Sequence, residues 1–317
     1  MSATVDTANI RPVRKKNLQF KADRDIPRYL LILPAFLLIL IFNYGPIYGI
    51  IMAFQDFSPY KGITGSNFVG LEHFRYFLMD SNFWRVMGNT IIINFYQLVF
   101  GMPVPVIFAL MLNEVRHMAF KRTIQTISYL PHFISWVVAA SFVSAILNPS
   151  TGIVNSMLIN VFGLEKPIYF LVKEQYFRTI LVSTNIWKGF GMSAVYYLAA
   201  LTSIDPQLYE AARIDGANRW KQILYITLPG IAPIFTLLLI LNIGSMITIG
   251  FEQIFLLYSP TVYNTGDVIS TYVYRLGLVQ TQYSLTTAIG LSQSVINFIM
   301  VMTANITARK LVGYALW

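Results

Sequence analysis

The sequence predicts an all-α integral membrane protein with six transmembrane helices and both termini in the cytoplasm, on three observations. Hydrophobic residues make up 56% of the 317 positions and charged residues only 12%, with a mean hydropathy of +0.58. Charges are therefore too sparse to coat a water-soluble surface. Six stretches are long enough to cross ~30 Å of hydrocarbon at ~1.5 Å per residue with every backbone amide satisfied inside the helix. With the N-terminus inside, 15 of the 23 Lys and Arg fall on the cytoplasmic side and 7 outside, the bias that orients membrane proteins.

Taken in order, residues 1–28 read as a basic cytoplasmic arm carrying Arg11, Arg14, Lys15, Lys16, Lys21, Arg24 and Arg28. No small-residue cleavage site follows the next apolar run, so that run is a retained helix and not a secretion signal. The transmembrane domain covers 29–308. Its spans at 29–54, 86–112, 123–147 and 283–308 contain no Asp, Glu, Lys or Arg, whereas 179–201 holds only Lys188 and 229–257 only Glu252. Cytoplasmic loops at 113–122 and 202–228 and outer segments at 55–85, 148–178 and 258–282 join the spans. None of them is large enough for a soluble catalytic domain. Residues 309–317 form a cytoplasmic tail. Pro34, Gly45, Pro46, Gly101, Pro103, Pro105 and Pro131 interrupt several spans, as suits helices beside a cavity, although both residue types are common in membrane helices generally. In the second outer segment Ile153, Val154, Met157, Leu158, Val161 and Phe162 recur at helical spacing. They read as a short amphipathic helix at the outer interface, an anchor or a cover for a pathway's mouth.

The long cytoplasmic loop, with its core at 203–228, carries explicit local chemistry. Asp205 is placed to cap a helix, Pro206 takes the first helical position, where no amide hydrogen is needed, and Gly216 suits a left-handed stop. This predicts a short helix, a sharp turn and a second short helix ending at Pro229. Leu208, Ala211 and Ala212 form a small apolar face, with Glu210 and Asp215 beside it. These features fit a docking element for a partner and equally a capped connector.

The spacing of Glu210-Ala211-Ala212, Gly216 four residues on, and Ile226-x-Leu228-Pro229 after nine more resembles the EAA loop of binding-protein-dependent importer permeases. The resemblance runs from the first span to the last helix. Asn67-Phe68-Val69-Gly70-Leu71-Glu72-His73-Phe74 and Tyr196-Tyr197-Leu198-Ala199-Ala200-Leu201 look like the carbohydrate branch that includes maltose permeases. Gly250-Phe251-Glu252-Gln253-Ile254 and Ile269-Ser270-Thr271-Tyr272-Val273-Tyr274-Arg275 are closer to its polysaccharide and alginate-type permeases. The resemblance implies a type I importer permease of the bacterial inner membrane. Its expected partners are a second permease chain, two cytoplasmic ATPases that bind ATP and Mg, and an extracytoplasmic solute-binding protein. It implies that Glu210, Ala211, Ala212, Asp215, Gly216, Ile226, Leu228 and Pro229 form the ATPase-coupling loop. The chain has no Gly-x-x-x-x-Gly-Lys-Ser/Thr, so it is not expected to be an enzyme or to hold a cofactor itself.

Ionisable groups inside a membrane face a cavity or a partner. Lys188 falls ~13 Å and Glu252 ~7 Å inside their spans at ~1.5 Å per residue, where an acidic or neutral sugar would enter; snorkelling, or pairing with each other, are the other uses open to them. Trp187, Asn89, Asn94, Tyr96, Gln97, Asn242, Gln253, Gln293 and Asn297 supply the amides and aromatics that suit sugar hydroxyls and C–H faces, and also suit helix-to-helix hydrogen bonding. The absence of cysteine removes disulfides and thiolate chemistry, and the scattered His73, His117 and His132 form no metal-ligand pattern. The cations flank apolar spans and are not interleaved with stacking aromatics, which excludes nucleic acid as a partner and leaves membrane lipid. A self-sufficient secondary transporter would show inverted repeats or several intramembrane carboxylates. A membrane glycosyl transferase would need catalytic acids near an interface, a role that Asp205, Glu210 and Asp215 could imitate.

Overall fold

The computed structural model describes residues 22–248 and 250–316, so the predicted basic arm as far as Lys21 lies outside the described residues. The chain forms two compact units, 1–50 and 51–317. In the first, α1 (Ala22–Ile39) passes through a π-turn at Leu40–Tyr44 into a 3-10 helix, Gly45–Phe54, whose last four residues belong to the second unit. Pro46 cannot donate to the carbonyl four residues back and its ring crowds that carbonyl, which the wider turn before it relieves.

The second unit opens with an antiparallel pair, β1 (Gln55–Asp56) and β2 (Asn67–Phe68), with Gln55 opposite Phe68. Besides single turns at Gly62–Gly65 and Tyr263–Gly266, its helices are α2 (Glu72–Met79), α3 (Ser81–Gly101), α4 (Pro103–Glu114), α5 (Met118–Phe133), α6 (Trp136–Ile146), α7 (Ile153–Asn160), α8 (Glu174–Thr202), α9 (Pro206–Ile214), α10 (Arg219–Gln222), α11 (Leu228–Gly244), α12 (Phe251–Leu257), α13 (Ile269–Tyr274) and α14 (Tyr283–Leu311). The 29-residue α8 is the hub, packed against α3, α4, α5 and α11. Three apolar clusters hold the unit: Phe77, Phe83, Val86, Ile269 and Ile289 at one end, Ile93, Phe177, Leu181 and Ile254 beside α8, and Ala109, Ala194, Tyr197 and Ile231 toward its C-terminus. The α5–α8 crossing depends on Gly191, where a Cβ would collide with the Ser128 carbonyl. Small residues allow such backbone approach where lipid supplies no hydrophobic drive.

Among the described residues, four helices are long and apolar enough to cross a membrane, Tyr29–Phe54, Ser81–Glu114, Arg219–Gly244 and Tyr283–Lys310, and a fifth span arises if α5 and α6 count as one. Two predicted spans are corrected. The stretch 123–147 is not one straight helix, because α5 and α6 meet at 102°. Ile134 and Ser135 are extended there, and the Ser135 hydroxyl caps α6 through Val138 N. The stretch 229–257 is also broken: α11 ends at Gly244, and α12 begins after Gly250, whose φ is +98°. The span instead starts earlier, within the predicted cytoplasmic loop. Pro229 does not end the second loop helix; it lies in the first turn of α11, joined to α10 by a π-turn at Ile223–Thr227.

Candidate functional site

The loop between α8 and α11 has the predicted local geometry. The Asp205 carboxylate accepts from Gln207 N at 2.9 Å and Pro206 occupies the first turn of α9. At the other end Gly216 takes φ +75°, with Ala217 N donating to Ala212 O at 2.8 Å and Gly216 N to Arg213 O at 3.1 Å. This pair of bonds is the Schellman closure that a left-handed residue permits. Asn218 then caps α10 through Lys221 N at 2.9 Å. The loop is braced by the Tyr209 hydroxyl against Thr227 Oγ1 at 3.0 Å and by Gln222 Nε2 on Ala217 O at 3.0 Å. Leu208, Glu210, Ala211, Asp215 and Gly216 are exposed, Ala212, Ile226 and Leu228 half-buried. Ile214 is 87% exposed and Trp220 74%. A cavity of about 370 Å³ lies behind the loop, between Glu210, Arg213 and Arg219 and the end of α4, where Arg219 meets Glu114 at 3.7 Å.

A second cavity, about 300 Å³, is enclosed by α3, α4, α8 and α11. Four amides line it, Asn94, Gln97, Asn185 and Asn242, together with Phe190, Tyr196 and Tyr197. Asn94 and Asn242 each send their Nδ2 to the carbonyl four residues back, Thr90 O and Leu238 O, both at 2.8 Å. On α8 the lining residues 185, 189, 193 and 196 recur at helical spacing, and further up the same stripe Arg178 lines a third, more open cleft of about 740 Å³ with Tyr96, Lys173 and Thr265. Seven residues separate Arg178 from Asn185, ~10 Å along a helix. The two cavities therefore succeed one another along α8.

Other predicted pathway residues serve the two breaks. Lys188 Nζ donates to His132 O at 3.0 Å and lies 5.2 Å from the Trp136 ring. It thus caps the C-terminus of α5, whose carbonyls lack partners and whose dipole end is negative. Gln293 Nε2 donates to Ile247 O, and Asn297 Nδ2 to Thr248 Oγ1 at 3.0 Å, where the chain has left α11. Gln253 is buried, with Nε2 on Leu181 O at 2.8 Å and Thr184 Oγ1 at 2.6 Å, and so fastens α12 to α8. Glu252 is exposed in the first turn of α12 and not inside a span; among the described residues it forms no ion pair with Lys188. Trp187 is 40% exposed and lines neither of the two cavities along α8.

At the Glu174 end of α8, the segment 258–280 is bound into a polar lattice. Asn89 sends its Nδ2 to Asn264 O at 3.0 Å and Asp267 O at 3.1 Å, and its Oδ1 accepts from Arg178 at 2.8 Å. Asp267, fully buried, holds Arg275 by two hydrogen bonds of 2.6 and 3.3 Å. Burial works against the Arg275 cation, but Asp267 outweighs it and holds its pKa above the ordinary value. Burial, then the bond to Asp80, pushes the Tyr272 phenol up. Burial also opposes the Asp80 charge, yet the donors Tyr272, at 2.7 Å, and Asn82 leave its pKa below the usual carboxylate range.

The sequence pattern of binding-protein-dependent transport system inner membrane components matches residues 101–313. The chain belongs to this family. A polygalacturonan/rhamnogalacturonan transport system permease protein of Bacillus subtilis (strain 168) is 42% identical over 306 residues, 96% of this chain and 95% of that protein. An arabinooligosaccharides transport system permease protein of the same organism is 28% identical over 317 residues, 98% and 97% of the two chains. A solved chain of a bacterial ABC transporter involved in the import of the acidic polysaccharide alginate superposes with a TM-score of 0.84 at 43% identity, over 92% of this chain and 97% of that one. A second structure, with an alginate pentasaccharide-bound periplasmic protein, gives 0.85 at 42% identity, over 93% and 98%.

Within this permease fold, sequence reasoning passed over three groups that the structure brings to the site: Asn185, Arg178 and the Asp267–Arg275 pair. Asn185 stands three residues before Lys188, and its position in an apolar span was a signal equal to that of Asn94. Arg178 and Asp267 fell in outer segments between the predicted spans, where a lone charge carries no distinguishing mark.

Proposed function

We propose that this chain is the membrane-spanning subunit of an ATP-driven, binding-protein-dependent importer of oligosaccharides or polysaccharides, acidic ones among them. The observation that carries the reading is the likeness, at 42–43% identity over more than nine-tenths of the chain, to a polygalacturonan/rhamnogalacturonan transport system permease and to a chain of an alginate importer. In this reading the chain crosses the bacterial inner membrane six times, with both termini inside and α8 and the bent α5–α6 pair completing the count. It pairs with a second permease, two ATPases that bind ATP and Mg, and a solute-binding protein. Sugar passes along the two successive cavities on α8, where the amides of Asn94, Gln97, Asn185 and Asn242 meet hydroxyls and the exposed Tyr196 meets C–H faces.

The loop of α9 and α10 is the ATPase-coupling element. Its Schellman closure fixes the angle between the two short helices, so a push on α9 is transmitted through the π-turn into α11 without a hinge. Leu208, Ile214 and Trp220 supply apolar area for docking, and Ala211 and Ala212 allow close approach. The test is co-purification of the ATPase with the chain: Ala212→Trp should insert normally in the membrane but lose the ATPase. Retention of the ATPase by that variant would reduce the loop to a connector. Cysteines at Glu165 and Lys221 test orientation, with an impermeant thiol reagent expected to reach only the first from outside.

A further inference from the structure

We propose that Arg178, with Lys173 and Tyr96, forms a subsite for the carboxylate of a uronate sugar at the outer end of the pathway; the inference rests on the sugar-importer reading and names the charge class of cargo that this cleft takes. The two half-buried arginines at this end of α8 are held in opposite ways. Arg275 has its acid, the buried Asp267 at 2.6 Å. Arg178 has none: among the described residues no carboxylate lies within ion-pair distance of it, and its bonds go to neutral acceptors only, Nε to Thr265 O at 3.1 Å and Nη2 to Asn89 Oδ1 at 2.8 Å. Asn89 is itself immobilised, buried and tied to the 264 and 267 carbonyls. One edge of the guanidinium is thus fixed, and the rest lines the cleft.

A half-buried cation with no acid beside it lacks a counter-charge, and a carboxylate arriving in the cleft supplies one by charge-assisted hydrogen bonds. The planar fork matches a carboxylate in two parallel bonds. Lys173 adds a second cation, exposed, its backbone bonded to Tyr169 O and Tyr176 N while its ammonium makes no hydrogen bond or ion pair among the described residues. Among the described residues Glu174 is the only acid lining the cleft, and its Oε1 is engaged by Asn264 Nδ2 at 2.9 Å. Tyr96, 40% exposed, offers a ring face to a sugar's C–H surface. The cleft, about 740 Å³, is of a size that holds a few sugar units.

The test uses the complete complex in proteoliposomes, with saturating binding protein. Uptake is compared for a uronate tetrasaccharide and for the same tetramer with its carboxyls reduced to alcohols. Because the binding protein is the same throughout, a change in the ratio of the two KM values between variants belongs to this chain. Arg178→Gln should raise the uronate KM about tenfold relative to the neutral sugar, as expected for loss of a charge-assisted fork. Arg178→Lys should fall between. Lys173→Gln, which breaks no bond among the described residues, should shift the ratio about threefold and decides the matter if Arg178→Gln fails to assemble. An unchanged ratio in the variants, whether both sugars slow equally or neither does, overturns the subsite. Uptake of neither sugar by the wild-type complex overturns the sugar-importer reading itself.

Discussion

Gly216→Val is the sharpest perturbation of the α9–α10 loop proposed to couple the ATPase, because the structure isolates its cost. Gly216 sits at φ +75° with nothing within 4 Å of the place a Cβ would take. A side chain there meets no neighbour, and the whole penalty is the backbone's own. A left-handed conformation costs a residue with a Cβ about 1–2 kcal/mol, and a β-branched residue lies at or above the top of that range. At about 2 kcal/mol the population of loops with the Ala217–Ala212 and Gly216–Arg213 bonds closed falls roughly 30-fold relative to the open forms. Asn tolerates the left-handed region and should lose far less. The assay is binding-protein-stimulated ATP hydrolysis by the reconstituted complex. Gly216→Val should lose most of the stimulation and Gly216→Asn should keep most of it, while the permease's stability should fall by no more than about 2 kcal/mol in Val and by less in Asn, since no packing changes. Equal stimulation in Val and wild type, or equal damage by Val and Asn, would refute the reasoning.

Gly191→Ala should destabilise the α5–α8 crossing by about 1–3 kcal/mol through overpacking against the Ser128 carbonyl, a drop of several degrees in melting temperature, while Gly88→Ala, where a Cβ meets nothing within 4 Å, serves as the control. Asp267→Asn leaves the Arg275 cation without its partner and should cost about 3 kcal/mol in denaturant unfolding; an unchanged midpoint would show the pair to be idle. Because the folded Asp80 pKa is depressed, its contribution is present above the ordinary value of 3.8 and lost as pH falls below it. Tyr272→Phe removes one stabilising donor and should flatten that acid limb of the stability profile, and an identical limb in the variant would count against the Asp80–Tyr272 bond.

The local geometry of the α9–α10 loop was legible because its signals are local. Asp205 caps two residues on, Pro206 fills the next position, and Gly216 closes bonds reaching back only to Ala212, so a short window of sequence contains the whole structure. The two helix breaks were not legible for the opposite reason. Hydropathy is high on both sides of Ser135 and of Gly250, and what satisfies the loose backbone comes from far away: Lys188 reaches His132, and Gln293 reaches Ile247. Irregular backbone inside apolar surroundings is tolerated only where protein covers it, and which polar side chain provides that cover is a tertiary fact. The same residues explain the mixed outcome for the pathway. Polarity alone marked Asn94, Gln97, Asn242, Gln253, Gln293 and Asn297 alike, but only the first three line the cavity beside α8.

The account turns on energy entering through a partner ATPase and sugar leaving through this chain. Its most direct test is sugar uptake into proteoliposomes carrying the complete complex, with ATP either sealed inside or omitted and with ion gradients collapsed by ionophores. Accumulation that requires both internal ATP and external binding protein, and that disappears with Ala212→Trp, is the predicted result. Accumulation without ATP, or uptake that follows an imposed ion gradient, would contradict it.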